Sequence, residues 1–495
     1  MRKVEWLAVL GLVSWLAAAP AAQAQVRPYI GYVYPAGGQQ GTTLQVKLGG
    51  QGLDDVNQVL VSGTGVHAKI VEYFRRLGAQ ETTLLSEQLR ALKRGKVAVA
   101  STMAPLATAE SPGMNSESTP ADKAGAAKPE EATRELLARI EKRLAENVQR
   151  PASVSIANLV FVEVTLDPEA KPGERELRLA TPRGVSNPLV FHVGQLPEIS
   201  RTPMRTSNFQ VLGKEELALR KRPADEVEQR ITLPCTVNGQ VASGEVNRYR
   251  FEARKGQRLL LSADARELIP FIADAVPGWF QPVLALYDAK GKEVAYNDDY
   301  RFQPDPVVFY KVPQDGEYTF TITDAIYRGR EDFVYRVTIG ELPFVTSIFP
   351  LGGRVGAPVK IKMKGWNLEQ AELTPPPSDA GPGIYSVAAC KAGFVSNRLA
   401  FALDSLPEGF DKEPNNDQAH AQKVTLPIIV NGRIDRPDDV DVFQVAGRAD
   451  DTIVAEVSAR RLDSPLDSVL RVTDATGQVL AFNDDHEDAG RAPWG

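Results

Sequence analysis

The run Val283-Leu284-Ala285-Leu286-Tyr287-Asp288-Ala289-Lys290-Gly291-Lys292 reads as an apolar strand that ends in a tight turn. Gly291 supplies the positive φ that such a hairpin turn needs, at no steric cost. The same turn chemistry returns as Asp474-Ala475-Thr476-Gly477-Gln478. Around the first copy, Arg258 to Ala263, Tyr318 to Thr323 and Tyr335 to Ile339 are short, rich in Val, Leu, Phe and Tyr, and set between turn formers. Many strands at this spacing, with few helical patterns, predict an all-β protein of tandem antiparallel β-sandwiches.

Two longer patterns each occur twice, in the same order. One runs from Pro35-Ala36-Gly37-Gly38 through Gly41 to Gly50 and Leu53, and recurs as Pro350-Leu351-Gly352-Gly353, Gly356, Gly365 and Leu368, an offset of 315. Its far end, Val185-Ser186-Asn187-Pro188-Leu189-Val190-Phe191 and Leu196-Pro197-Glu198, recurs as Val395-Ser396-Asn397-Arg398-Leu399-Ala400-Phe401 and Leu406-Pro407-Glu408, an offset of 210. The other pattern, Thr232-Leu233-Pro234, Val237-Asn238-Gly239 and Tyr296-Asn297-Asp298-Asp299, returns as Thr425-Leu426-Pro427, Val430-Asn431-Gly432 and Phe482-Asn483-Asp484-Asp485. The chain is therefore an array, A1-B1-A2-B2. Repetition of this kind builds binding or spacer domains more often than a catalytic centre.

Arg2 and Lys3 precede an apolar run from Trp6 to Ala19, closed by the small-residue site Ala22-Gln23-Ala24. That is the pattern of a secretory signal peptide over 1–24, with an apolar stretch too short for a stop-transfer span. The expectation is a secreted protein, periplasmic or extracellular, with no transmembrane segment after cleavage. Lys and Arg number 57 against 63 Asp and Glu, for a net charge of -6. No basic stripe is visible, which argues against nucleic acid as partner. Cys235 and Cys390 lie in different modules and are expected to be free, buried thiols rather than a bridge.

The modules divide as 25–198, 231–341, 342–408 and 409–495, with a linker over 199–230. Inside A1, at about 80–148, the strand pattern breaks. Leu85, Leu89 and Leu92, then Leu137, Ile140, Leu144 and Val148, fall at helical spacing and predict a helical hairpin whose stripes pack on each other. Between them Val97 to Glu130, rich in Ala, Ser, Thr, Pro and Gly, reads as a disordered linker. A2 is short, with a small core. B2 stops ten residues after Asp485, where B1 continues through further strands, so it reads as truncated and the chain as part of a longer protein.

The richest constellation is Asp411-Lys412-Glu413-Pro414-Asn415-Asn416-Asp417, followed by Arg436-Pro437-Asp438-Asp439-Val440-Asp441-Val442-Phe443. With the Asn-Asp-Asp loop, this closely resembles the bacterial pre-peptidase C-terminal (PPC) domain, whose members include the collagen-binding domains of clostridial collagenases. The resemblance is good over 411–495 and weaker over 231–340. It implies a secreted, jelly-roll-like β-sandwich found beside peptidase domains, in some members with calcium at the junction of linker and sandwich.

Ca²⁺ takes six to eight oxygen ligands, so carboxylates and amide carbonyls must converge from separate segments. Asp411, Glu413 and Asn415 alternate along an extended linker and so share one side of it. Asp438, Asp439 and Asp441 offer an opposing wall, with Asp438 and Asp441 favoured by the resemblance. The alternative is a solvated acidic turn. B1 carries Arg220-Lys221-Arg222-Pro223 against the linker motif, and Glu245 and Asn247 for Asp439 and Asp441, so no calcium is expected there. The loops at Asn297 and Asn483 are expected to cap turns.

The A modules resemble immunoglobulin-like IPT/TIG domains, through the Pro-x-Gly-Gly start and the closing Ser-Asn-x-Leu-x-Phe strand. Such domains usually act as spacers or protein contacts. Catalytic signatures are absent: there is no Gly-x-Ser-x-Gly elbow, His-Glu-x-x-His or phosphate loop. His192 alternates with Phe191 and Val193, which suggests a place on the sheet surface. The sequence thus points to a non-catalytic binding and spacer array, for extracellular protein or polysaccharide, with a possible Ca²⁺ site in B2. The alternative is the accessory N-terminal portion of a longer secreted peptidase.

Overall fold

The computed structural model describes residues 27–94, 129–147, 153–204, 224–272 and 278–485. The signal-peptide reading, most of the Val97–Glu130 linker, Arg220–Pro223 and His486 lie outside the described residues. Within them the chain is a tandem of β-sandwiches with one helical insertion.

A1 is two sheets face to face. Tyr29–Tyr34, Thr43–Gln51, Asn158–Leu166 and Val66–Phe74 form one, and Gly37–Gln39, Leu189–Gly194, Gly173–Thr181 and Gln58–Val61 the other. Strict alternation drives the packing. In Leu189–Gly194, Leu189, Phe191 and Val193 point into the core, where they meet Val46, Leu48, Val162 and Leu177. Helices α1 (Ala79–Lys93) and α2 (Pro129–Glu146) pack on each other, and α2 lies against the first sheet through Lys142 and Glu146. Leu92 and Ile140 are buried, and Lys142 Nζ lies 4.4 Å over the Phe161 ring while pairing with Glu72 at 2.9 Å.

B1 has two five-stranded sheets. Glu198–Ser200, Cys235–Gln240, Val334–Gly340, Arg258–Asp264 and Val307–Lys311 make one; Glu228–Arg230, Asn247–Ala253, Gly316–Asp324, Pro282–Tyr287 and Glu293–Asn297 make the other. Tyr249, Phe251, Phe320 and Tyr335 dominate its core. A2 keeps a two-stranded and a four-stranded sheet around Val345, Ile348, Val387, Leu399 and Phe401.

In B2 the described strands form three separate two-stranded ladders, the last being the hairpin Leu470–Thr473 and Val479–Asn483. Leu284 and Leu286 of B1 are buried beneath Phe320 and Ile322. Their B2 equivalents, Leu470 and Val472, are partly and openly exposed. Among the described residues nothing stands in for the strand Gly316–Asp324 there.

The repeats of sequence are repeats of geometry. Peptides Tyr34-Pro35 and Phe349-Pro350 are both cis, as are Leu233-Pro234 and Leu426-Pro427. A Cβ on Gly50 would stand 2.1 Å from the Tyr29 carbonyl oxygen, and one on Gly365 would stand 2.0 Å from that of Phe344. Only glycine lets these strands approach.

The modules are docked rather than strung. Tyr32, Tyr34 and Ala36 of A1 share a cluster with Leu268, Ile269 and Val334 of B1. Tyr34 donates its hydroxyl proton toward the carbonyls of Arg201, at 2.6 Å, and Asn238, at 3.2 Å. Arg336 of B1 forms a buried ion pair with Glu198 at 2.7 Å. This docking corrects the expectation for His192: its sheet face is covered by B1, and Nε2 lies 3.6 Å from Glu267. Burial, then the nearby Arg336 charge, holds the imidazole pKa well below the ordinary histidine value. Cys235 is buried and Cys390 only half-buried, each a free thiol. Burial pushes Cys235 up to about 12.

Candidate metal centre

The end of A2 feeds directly into B2. Glu408–Phe410 pairs in parallel with Ile429–Asn431, and the Asp411 amide donates to the Asn431 carbonyl at 3.1 Å. The chain then crosses toward Gln422–Lys423, which pairs in parallel with Phe443–Gln444. Asp411 and Glu413 ride on this crossing, and Asp441 stands just before Phe443. One ligand oxygen from each of Asp411, Glu413 and Asp441 lies within 4.8 Å of the others, the only such trio of potential ligands among the described residues.

Like charges this close repel, and they do so in a partly desolvated place. Burial first, then the carboxylates of Asp411, Asp439, Glu413 and Asp435, push Asp441 up to about 6. Its Oδ1 is buried with no hydrogen-bond partner. Asn415 is fully buried, and neither its side-chain oxygen nor its nitrogen has a partner. Its backbone carbonyl accepts from the Val442 amide at 2.8 Å, which sets it beside Asp441. Its own amide donates to Glu413 Oε2 at 3.1 Å. Buried polar groups without partners are uncommon and costly, and the oxygens among them here, Asn415 Oδ1 and Asp441 Oδ1, are of the kind that takes a donor or a cation. The donors are hard oxygens, the set that suits Ca²⁺.

Asp438 is placed differently. It is exposed, with φ 65°, in the turn where the Asp439 amide reaches the Arg436 carbonyl at 3.3 Å. Asp439 Oδ2 accepts from the Asp435 amide at 2.7 Å. Both shape the turn that delivers Asp441 and stand outside the trio. Gly432 matters too, because a Cβ there would stand 3.0 Å from Asp441 Oδ2. The Asp-rich hairpin turns are capped internally: Asp288 Oδ1 accepts from the amides of Lys290 and Lys292, and Asp474 Oδ1 from those of Thr476 and Gln478. Asn297 bonds the Val307 carbonyl and the Asp298 amide.

The residue that sequence reasoning missed is Arg201. The offset of 210 that matches Glu198 to Glu408 also matches Arg201 to Asp411. Aligning on Pro223 and Pro414 instead hid this, because the first copy carries extra residues between the two landmarks.

No family model matches the chain. A probable subtilase-type serine protease of Deinococcus radiodurans is 42% identical over 79 residues, which is 15% of this chain and 10% of that protein. The chain thus spans about a tenth of that relative's length. Among solved structures, the pre-peptidase C-terminal domain of a collagenase from Bacillus anthracis aligns at 17% identity over 24% of this chain and 99% of that domain, with a TM-score of 0.18. The secreted serine protease VesC of Vibrio cholerae aligns at 10% identity over 62% of this chain and 48% of its own, with a TM-score of 0.16.

Proposed function

We propose that this chain is a secreted, non-catalytic binding and spacer array, in which Ca²⁺ held by Asp411, Glu413, Asn415 and Asp441 stiffens the joint between A2 and B2. The observation that carries the metal reading is the buried, unpartnered Asn415 side chain beside three converging carboxylates. A cation there would relieve the repulsion and give the partnerless oxygens, Asn415 Oδ1 and Asp441 Oδ1, a positive partner. Docked sandwiches suit a rigid arm presenting its surface to extracellular protein or polysaccharide.

The described histidines each face a carboxylate. His67 faces Asp167 at 3.1 Å and His420 faces Asp417 at 2.8 Å, both in the open, and His192 faces Glu267. The identity to a probable subtilase-type protease favours a second reading, in which the array is the accessory portion of a longer secreted peptidase. A calorimetric Ca²⁺ titration of the full chain tests the metal, with one equivalent expected and no heat refuting it. Incubation with casein tests the rest: release of peptides by this chain alone would refute a non-catalytic role.

A further inference from the structure

The two A-to-B joints share one backbone design. Glu198–Ser200 lies parallel to Cys235–Gln240 as Glu408–Phe410 lies parallel to Ile429–Asn431. Asn238 Nδ2 donates to Glu198 Oε2 at 2.7 Å, and Asn431 Nδ2 to Glu408 Oε2 at 2.9 Å. The next step is also shared, since the Arg201 amide donates to the Asn238 carbonyl at 3.0 Å as that of Asp411 does to Asn431. Further on, Gln229 pairs with Tyr249 as Gln422 pairs with Phe443, which sets Asn247 in the place of Asp441.

At this shared place the charges are opposite. The second joint gathers three carboxylates. In the first, Asp411 is replaced by a buried arginine and Asp441 by a neutral amide. The Arg201 guanidinium sits 5.3 Å over the Tyr249 ring and bonds the Glu226 carbonyl, in the segment that leads into Glu228–Arg230. It therefore ties the tail of A1 to the segment entering the opposite B1 sheet and, through the Tyr249 ring, to the strand Asn247–Ala253, whose counterpart in B2 follows Asp441. Asn247 turns its amide to the Gln240 carbonyl and the Tyr335 hydroxyl, both at 2.9 Å, and offers no charge.

We propose that Arg201 is a built-in cation that closes the first joint permanently, where the second joint is closed by an exchangeable divalent ion. This rests on the reading of Asp411, Glu413 and Asp441 as a cation site. Chelation then loosens one joint of the array and leaves the other untouched.

The test uses the full chain, with hydrogen exchange of the segment 235–253 as a local readout of the first joint and thermal unfolding alongside. Arg201→Lys keeps the charge and should retain protection. Arg201→Met keeps much of the bulk without charge and should lower protection at least tenfold, with or without Ca²⁺. Equal effects of Lys and Met overturn the proposal. A wild type that binds no Ca²⁺ would refute the second-joint reading alone, because the comparison of Lys with Met needs no metal.

Discussion

Asn187 holds Ile30 by both ends of its amide: Nδ2 donates to the Ile30 carbonyl at 2.8 Å, and Oδ1 accepts from the Ile30 amide at 2.9 Å. The side chain thus acts as a strand partner to an edge. Asn397 does the same to Val345, at 3.0 Å and 2.7 Å. Replacing Asn187 by Ala strands two backbone groups, one of them an amide in a tightly packed strand. The expected loss is about 1–3 kcal/mol of stability, read by denaturant unfolding, and Asn187→Asp should recover only part of it. The same substitution at Asn397 should cost a similar amount in A2.

Gly50 and Gly365 meet backbone rather than flexible side chain. Gly50→Ala and Gly365→Ala are each expected to destabilise by about 1–3 kcal/mol, because neither facing carbonyl can swing away. Alanine at Gly356, where φ is 73° but the space is open, should cost less than either. Thermal unfolding of the three variants gives the ranking.

Acid should favour the A1–B1 block through Asp264. Burial pushes its pKa up to about 7, against an ordinary value of 3.8; the Arg336 charge opposes the shift, and the carboxylates of Asp305, Glu174 and Glu198 add to it. The folded state therefore holds a proton that the unfolded chain has released, so this group's contribution to stability falls as pH rises from about 4 to 7. Glu331, pushed to about 7 by burial, acts in the same sense. Asp264→Asn should raise the unfolding temperature at pH 8 and flatten its slope between pH 5 and 8. An unchanged slope would mean that the carboxyl is ionised throughout.

At the candidate metal centre the carboxylates should not be equivalent. Asp441→Asn and Glu413→Gln are expected to weaken Ca²⁺ binding at least tenfold, whereas Asp438→Ala, out on its turn, should change it less. Gly432→Ala, which presses on Asp441 Oδ2, should weaken binding without removing any ligand. Isothermal titration of the four variants orders them.

Period-two patterning and turn chemistry carried the all-β class, since Leu189, Phe191 and Val193 can only be a core face if the segment is a strand. The helical stripes through Leu92 and Ile140 were legible for the same reason. His192 was not. Alternation reports which face of its own sheet a residue takes, and says nothing of a second module laid over that face by Leu268 and Ile269. Cys390 lies beside a register shift in Gly383–Lys391, where the pairing slips between Ala388 and Cys390, and so escapes full burial. At the candidate site, Asp411, Glu413 and Asp441 were visible as residue types at a workable spacing. Arg201 was not, because its meaning lies in a spatial equivalence interrupted by an insertion.

The strand Glu198–Ser200 comes from the tail of one module and completes the sheet of the next, and Glu408–Phe410 repeats the arrangement. Anyone excising B1 or B2 for crystallography or fusion should therefore begin the gene fragment upstream of Leu196 or Leu406. A cut at the apparent linker would leave Cys235–Gln240 or Ile429–Asn431 with a raw, sticky border.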